Sequence, residues 1–290
     1  MEPAVLIHRV TKTLAAAGIG AVLWGEHLLA TYGSDIPTQP DYKFLLDDAN
    51  VTAAFDTLLA NGHVLCTRQD WDDGLCPVVE EMRSRRQTKE HYSPFHPFPA
   101  YHVHGHRDTL YQLDTVIALY KASAFLPPTS DLCPLGPPAI LPGEDGRINS
   151  QARFLYAHIS GPNPTESRGG RFPAHLDSVL IPSPMYFAHI LIHLGIRDCI
   201  RPGARTLWSA WLMELRECYE LHGRGLDEWD EKLNFPEPLR PIWQYAIDAQ
   251  NDVLEQPGCM KVWRDAMWRL VGVDPEEAVQ KEHLAFRDGR

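Results

Sequence analysis

Two acidic stretches near the start of the chain carry the residue types best suited to chemistry. Glu26 follows a short apolar run and a glycine in Ala21-Val-Leu-Trp-Gly25-Glu26, and further acids stand in Asp41-Tyr-Lys43-Phe-Leu-Leu-Asp47-Asp48. Carboxylates that converge on one point hold magnesium, a hard cation that takes oxygen ligands and neutralises charge developing on a phosphate. Side chains at i and i+2 of a strand share a face, so a strand-borne pair of ligands reads Asp-x-Asp. Here those two positions are Asp41 and Lys43, and an ammonium in the second one repels a metal. Asp47 and Asp48 fall at or past the strand end. Asp114, in Leu113-Asp114-Thr115-Val116-Ile117, is the candidate third acid on a neighbouring strand. No metal is therefore expected on the Asp41 strand.

Glu26 stands where a helix would begin, and the macrodipole stabilises an anionic side chain there by about 0.3–1 kcal/mol. A carboxylate in that place competes with a phosphate for the same backbone amides. Glu26 is thus either a simple helix-capping acid or part of a site turned toward a cationic ligand. Other glycine-rich stretches, Gly169-Gly170 and Gly223-Arg-Gly225, do not follow strands and make weak phosphate loops.

Histidines are dense between His91 and His106. His102, His104 and His106 alternate along a predicted strand and would share a face, where clustered imidazoles can bind a transition metal. With no cysteine or carboxylate beside them in sequence, and with Gly105 able to bend the strand, the preferred reading is a polar strand face, and no metal is assigned. His104 is kept as a candidate substrate contact. His189 and His193 are four apart, but the stretch His-Ile-Leu-Ile-His lacks a metalloprotease glutamate and reads as an apolar helix. The run Arg83-Ser-Arg85-Arg86-Gln-Thr-Lys89 is the one dense basic segment. Its simplest reading is a solvated loop, and Arg85 and Arg86 are the candidates for contact with an RNA backbone.

Composition narrows the classes. The chain has 290 residues, 44% hydrophobic and 22% charged, with a net charge of -11. That balance is ordinary for a globular protein and argues against sequence-independent DNA binding, which needs Lys and Arg to neutralise phosphates. The six cysteines are irregularly spaced without a C-x-x-C pair, so they read as reduced thiols rather than a disulfide framework or a zinc site. Glu2, His8, Arg9 and Lys12 interrupt any signal-peptide pattern. No apolar window approaches the ~20 residues a membrane helix needs. A cytoplasmic location with no membrane or DNA partner is expected.

Periodicity supplies the elements that would position these residues. Leu6, Val10 and Leu14 predict a helix over 4–17, Ala21 to Trp24 a strand, Glu26 to Tyr32 a short helix, and Tyr42 to Leu46 a second strand. Asp48 or Asn50 can cap a helix whose buried stripe is Val51, Phe55, Leu58 and Leu59, stopped at Gly62. Strands are expected over 63–67, 101–106 and 112–120, with a long loop over 68–99. The Pro127-Pro128 and Pro137-Pro138 pairs mark an extended linker. Helices are then expected over 151–159, 183–195, 204–221, 238–255, 258–271 and 274–286. The fold expected is α+β: a mixed sheet with flanking helices over 1–125, a linker over 126–149, and an all-helical domain over 150–290.

The strand–turn–helix–strand order of the first domain resembles the nucleotidyltransferase fold. There a Gly-Gly or Gly-Ser turn lies under phosphates, and two carboxylates one residue apart hold a metal; this chain has Gly25-Glu26 and Lys43 in those places. Val22-Leu-Trp-Gly-Glu26-His-Leu-Leu, Tyr32-Gly33 and Asp41-Tyr-Lys-Phe-Leu-Leu resemble filamentous-fungal proteins with a degenerate nucleotidyltransferase-like N-terminal domain. The functional link for that group is the arginine-containing cyclodipeptide synthases, associated with an acidic D-D-x-x-E motif. Asp47-Asp48-Ala-Asn-Val51 and Asp227-Glu228-Trp-Asp-Glu231 each match it in part.

The resemblance implies an enzyme of secondary metabolism. It would join aminoacyl groups from aminoacyl-tRNA into a small-molecule diketopiperazine, with no cofactor. Peptide-bond formation from an aminoacyl ester needs a positioned, deprotonated amine and an anionic pocket for a guanidinium. Asp47 and Asp48, with Glu26 and Asp41, are the expected catalytic acids, while Lys43, Asp114, His104, Arg85 and Arg86 are the expected substrate contacts. Two other readings stand beside it: a metal-dependent nucleotidyltransferase with rearranged carboxylates, and a non-catalytic binding protein on the same scaffold.

Overall fold

The computed structural model describes residues 3–36, 38, 41–66, 76, 99–106, 115–126, 154–158, 164, 169–198 and 207–221. Leu6, Ile7, Val10, Thr11 and Leu14 form the buried face of α1 (Pro3–Ala16). The helix opens on proline, whose fixed φ suits a first turn, and unwinds through Gly18 at φ 74°. All four residues of β1 (Ala21–Trp24) are buried, and α2 (Glu26–Thr31) follows after Gly25. Next come β2 (Asp41–Leu46), a single 3-10 turn over Asp48–Asn50, and α3 (Val51–Ala60), which stops at Gly62 with φ 93°. Then follow β3 (His63–Leu65), β4 (Tyr101–His106) and β5 (Val116–Lys121). Beyond the proline-rich stretch lie β6 (Phe154–Tyr156), β7 (Leu180–Pro182), α4 (Pro184–Asp198) and α5 (Leu207–Leu221).

The strands form one mixed sheet of seven in the order β3-β4-β5-β2-β1-β7-β6. β1 runs antiparallel to β2 and parallel to β7, and β2 runs parallel to β5. The pairs β3–β4, β4–β5 and β6–β7 are antiparallel. Central strands covered on both faces read as continuous apolar runs; Val116 to Tyr120 and Phe44 to Leu46 are buried in that way. Phe55 of α3 stacks on Tyr101 of β4 at 4.7 Å. Because side chains alternate across a strand, α3 covers the face of Tyr101 and Val103, and His102 and His104 project from the other.

The sheet departs from the expected domain layout. Residues 154–156 are a strand, not part of a helix over 151–159, and β7 follows at 180–182. The sheet thus resumes after the proline-rich segment, and regular helix begins at Pro184. Phe154-Leu155-Tyr156 is a three-residue apolar run, too short for periodicity to separate strand from helix. The chain forms two compact units, Met1–Ile190 and Leu191–Arg290. In the second, the described residues are helical, and Trp208, Trp211, Leu212, Leu215 and Cys218 make the buried face of α5. Apart from Leu126, which is buried, the expected linker over 126–149 lies outside the described residues, as do the helices over 238–255, 258–271 and 274–286. Among the described residues, no helix is long and apolar enough to cross a membrane.

Contacts far apart in sequence close the first unit. Trp24 packs against Phe125 and Phe187, each at 5.1 Å between ring centroids. The Tyr32 hydroxyl donates to the Pro182 carbonyl. Ser183 caps α4, its Oγ accepting from the Tyr186 amide at 3.3 Å. Gly169 lies so close to α2 that an added Cβ would stand 2.2 Å from the Ala30 carbonyl oxygen. Backbone cannot yield there as a side-chain tip would, so Gly169→Ala should destabilise the fold by about 1–3 kcal/mol. Urea unfolding of the two full-length proteins measures this, and superimposable curves would contradict the close approach.

Candidate functional site

The turn after β1 is built around a glycine. Gly25 adopts φ 82° and ψ -154°, a region open essentially to glycine alone. Its carbonyl accepts from the amides of Leu28 and Leu29 and starts α2. The Lys43 side chain passes over this turn, and a Cβ on Gly25 would lie 2.9 Å from Lys43 Cδ. Glycine therefore provides both the backbone angle and the room for the lysine.

Lys43 Nζ lies 2.8 Å from Glu26 Oε2 and 3.1 Å from Asp41 Oδ2, with side-chain exposures of 15%, 18% and 17% for Lys43, Glu26 and Asp41. The antiparallel register sets Lys43 level with Trp24, so Glu26 arrives just beyond it. Burial by itself would lower the Lys43 pKa, but Glu26 and then Asp41 outweigh it and hold the ammonium above the ordinary lysine range. Asp41 Oδ1 is buried without a hydrogen-bond partner. His27 stacks on Tyr42 at 4.4 Å and braces α2 against β2. Glu26 is thus an ion-pair partner as well as a helix-start acid.

The donor set does not suit magnesium. The Lys43 ammonium lies against both carboxylates, and the β5 residues level with Asp41 and Lys43 are Val116 and Ala118. Asp114 lies outside the described residues, as do Arg85 and Arg86.

The other expected acids are elsewhere. β2 is unbroken from Asp41 to Leu46, and six residues of extended strand separate Asp41 from Asp47 by about 20 Å. The expected convergence of Asp47 and Asp48 with Glu26 and Asp41 is therefore not formed. Asp48 instead accepts from the Ser123 amide at 3.1 Å and the Ser123 hydroxyl at 2.5 Å, joining the chain after β2 to the chain after β5. Asp47 precedes the 3-10 turn, its carbonyl accepting from the Asn50 amide at 2.8 Å.

His104 shares the face of the ion triad. It pairs with Val116, which pairs with Asp41, and His102 pairs with Ala118, which pairs with Lys43. Two strand spacings, about 10 Å, separate the histidine pair from the triad. Burial and then the neighbouring His104 lower the His102 pKa to about 4. The structure adds two residues that the sequence reading had set aside: Cys66 and Cys76 lie against His102 and His104, with one potential ligand atom from each of the four all within 4.8 Å of one another. The only local signal was for Cys66, which keeps the alternation of Val64 past the end of β3; nothing local points to Cys76.

Comparison of the chain with protein-family models, with curated proteins and with solved structures finds no match.

Truncating the cation tests the triad. Lys43→Met leaves two largely buried carboxylates without their counter-charge and should destabilise the protein by about 3–5 kcal/mol at neutral pH. In the wild type, a raised lysine pKa makes the contribution complete below the unfolded value of 10.5 and lost as pH rises above it. Urea unfolding of both proteins at neutral pH, and of the wild type up through the lysine range, measures the two effects. A variant with the wild-type midpoint at pH 7 would show that the triad does not hold the fold.

Proposed function

We propose that this chain is a nucleotidyltransferase-like protein in which an internal ion triad replaces the metal site. Its role is to bind a small ligand bearing an ammonium or guanidinium group, not to transfer nucleotides with a metal. The observation that carries this reading is Lys43, whose ammonium stands two residues from Asp41, where an Asp-x-Asp pair would carry its second carboxylate, and engages both Glu26 and Asp41. The strand–turn–helix around Gly25 and the β1–β2–β5 pairing support the scaffold resemblance. The triad carries one negative charge in excess of its lysine, and Asp41 Oδ1 is a buried acceptor with no hydrogen bond. An unmade buried bond of that kind is unfavourable, and a ligand N–H supplies it. Guanidinium is well matched, since it is always charged and presents donors in a fixed fork.

The same acceptor gives a second reading its one structural support. A synthase that takes arginine from aminoacyl-tRNA needs an anionic contact for the guanidinium, and Asp41 with Glu26 is that contact. Asp47 and Asp48 stand too far away to share it.

Thermal-shift and calorimetric titrations with agmatine and arginine methyl ester test the binding reading. Ligand at a hundred times its Kd should stabilise the wild type by about 2.7 kcal/mol, and Asp41→Asn should abolish the shift. Magnesium, alone or with ATP, should give no heat that depends on Asp41. Micromolar magnesium binding lost in Asp41→Ala would overturn the proposal. Heterologous expression with mass spectrometry decides between the readings: arginine-containing cyclodipeptides from the wild type, absent with Asp41→Asn, would establish the synthase.

A further inference from the structure

Away from the triad, the first unit gathers four side chains of which the sequence had singled out only His104, as a substrate contact. We propose that Cys66, Cys76, His102 and His104 form a tetrahedral site for a structural zinc ion. The four residues come from three places: the residue after β3, Cys76, and two positions on one face of β4. Val64 pairs with His104 and Leu65 with Val103, and continuing that register brings Cys66 level with His102. Cys66, His102 and His104 therefore share the face opposite α3, and Cys76 completes the group over it.

The distances fit a metal. One sulfur or ring nitrogen from each residue lies within 4.8 Å of all the others, and Cys76 Sγ stands 3.4 Å from His102 Nε2. Tetrahedral zinc with Zn–S near ~2.3 Å and Zn–N near ~2.05 Å requires donor–donor separations of about 3.3–3.8 Å. The observed pair already meets this, and a small inward movement closes the rest. The two imidazoles stand at 81° to each other with centroids 5.8 Å apart, so they do not stack. Cys76 and His104 are buried, and Cys66 and His102 are half-buried.

The chemistry selects the ion and its role. Thiolate and imidazole donors in tetrahedral array suit zinc among the biological cations. Two thiolates balance its charge, so the complex is neutral and suited to a buried place. On binding, four ligand–metal bonds form, two S–H bonds release their protons to solvent, and zinc remains divalent. Four protein ligands leave no position for water or substrate, which makes the ion structural rather than catalytic. It would fasten Cys76 to β3 and β4.

The test is made on the full-length chain, purified under reducing conditions without a polyhistidine tag. Elemental analysis should find about one zinc per chain. Titration of the metal-free protein with cobalt(II) should give the visible bands of tetrahedral cobalt and a thiolate charge-transfer band in the near ultraviolet. The Cys66→Ser/Cys76→Ser variant should lose zinc at least about tenfold along with the charge-transfer band. His102→Ala should alter the visible bands while leaving thiolate character. Wild-type measurements stand by themselves if a variant fails to fold. A folded, reduced wild type that binds neither zinc nor cobalt would overturn the proposal. So would iron in place of zinc, a Cys66–Cys76 disulfide in freshly reduced and purified protein, or undiminished zinc in the double-serine variant.

Discussion

Two carboxylates cannot lie side by side in a largely buried place unless a cation lies with them, and in this chain the cation is Lys43. Its ammonium meets Glu26 from the start of α2 and Asp41 from its own strand. The lysine stem needs a turn without a side chain beneath it, which Gly25 provides. The pairing of Trp24 with Lys43 fixes the stagger of β1 on β2 at this level. A slip of one residue would turn Lys43 and Asp41 together to the other face and leave Glu26 without its counter-charge. Desolvation of such a triad offsets much of its attraction, so its contribution lies as much in setting register as in net stability.

That register propagates across the sheet. Because β5 is parallel to β2 and antiparallel to β4, two rows run sideways: Lys43, Ala118, His102, and Asp41, Val116, His104. Small or apolar residues of the central strand separate an ion triad at one end of each row from a thiol–imidazole cluster at the other. Coulomb attraction and neutral donor chemistry are thereby kept about two strand spacings apart. Half-buried Asp41, Lys43 and His102 and buried His104 then carry the polar chemistry, while the apolar residues of β1, β2 and β5 build the core.

Closure of the sheet depends on residues far along the chain. β7 pairs with β1 and brings β6 with it, and Phe187 from the start of α4 packs edge-on against Trp24 at 5.1 Å. The hydroxyl of Tyr32 reaches the Pro182 carbonyl, and Thr11 and His8 of α1 meet the Ser178 hydroxyl at 3.2 Å and 3.0 Å. Helix α2, which carries Glu26, is thus held from the side by chain well over a hundred residues away in sequence.

What the sequence by itself determined is what arises within a few residues. Helical spacing located α1 and α3, alternation located β2 and β4, and the sharing of a strand face by i and i+2 placed Lys43 beside Asp41. The separation of Asp41 from Asp47 was also present in the sequence, since an unbroken six-residue strand has a fixed length; grouping the four acids at one end overlooked it. Other features have no local signature. Phe154-Leu155-Tyr156 becomes a strand because β7 is beside it, not because three apolar residues encode one. Glu26 becomes an ion-pair partner because β2 returns antiparallel past the turn. Cys76 meets His102 and His104 only once β4 is paired between β3 and β5. Tertiary structure decided these, because hydrogen bonding and ion pairing act over a few ångströms of space, whereas periodicity reports only on neighbours along the chain.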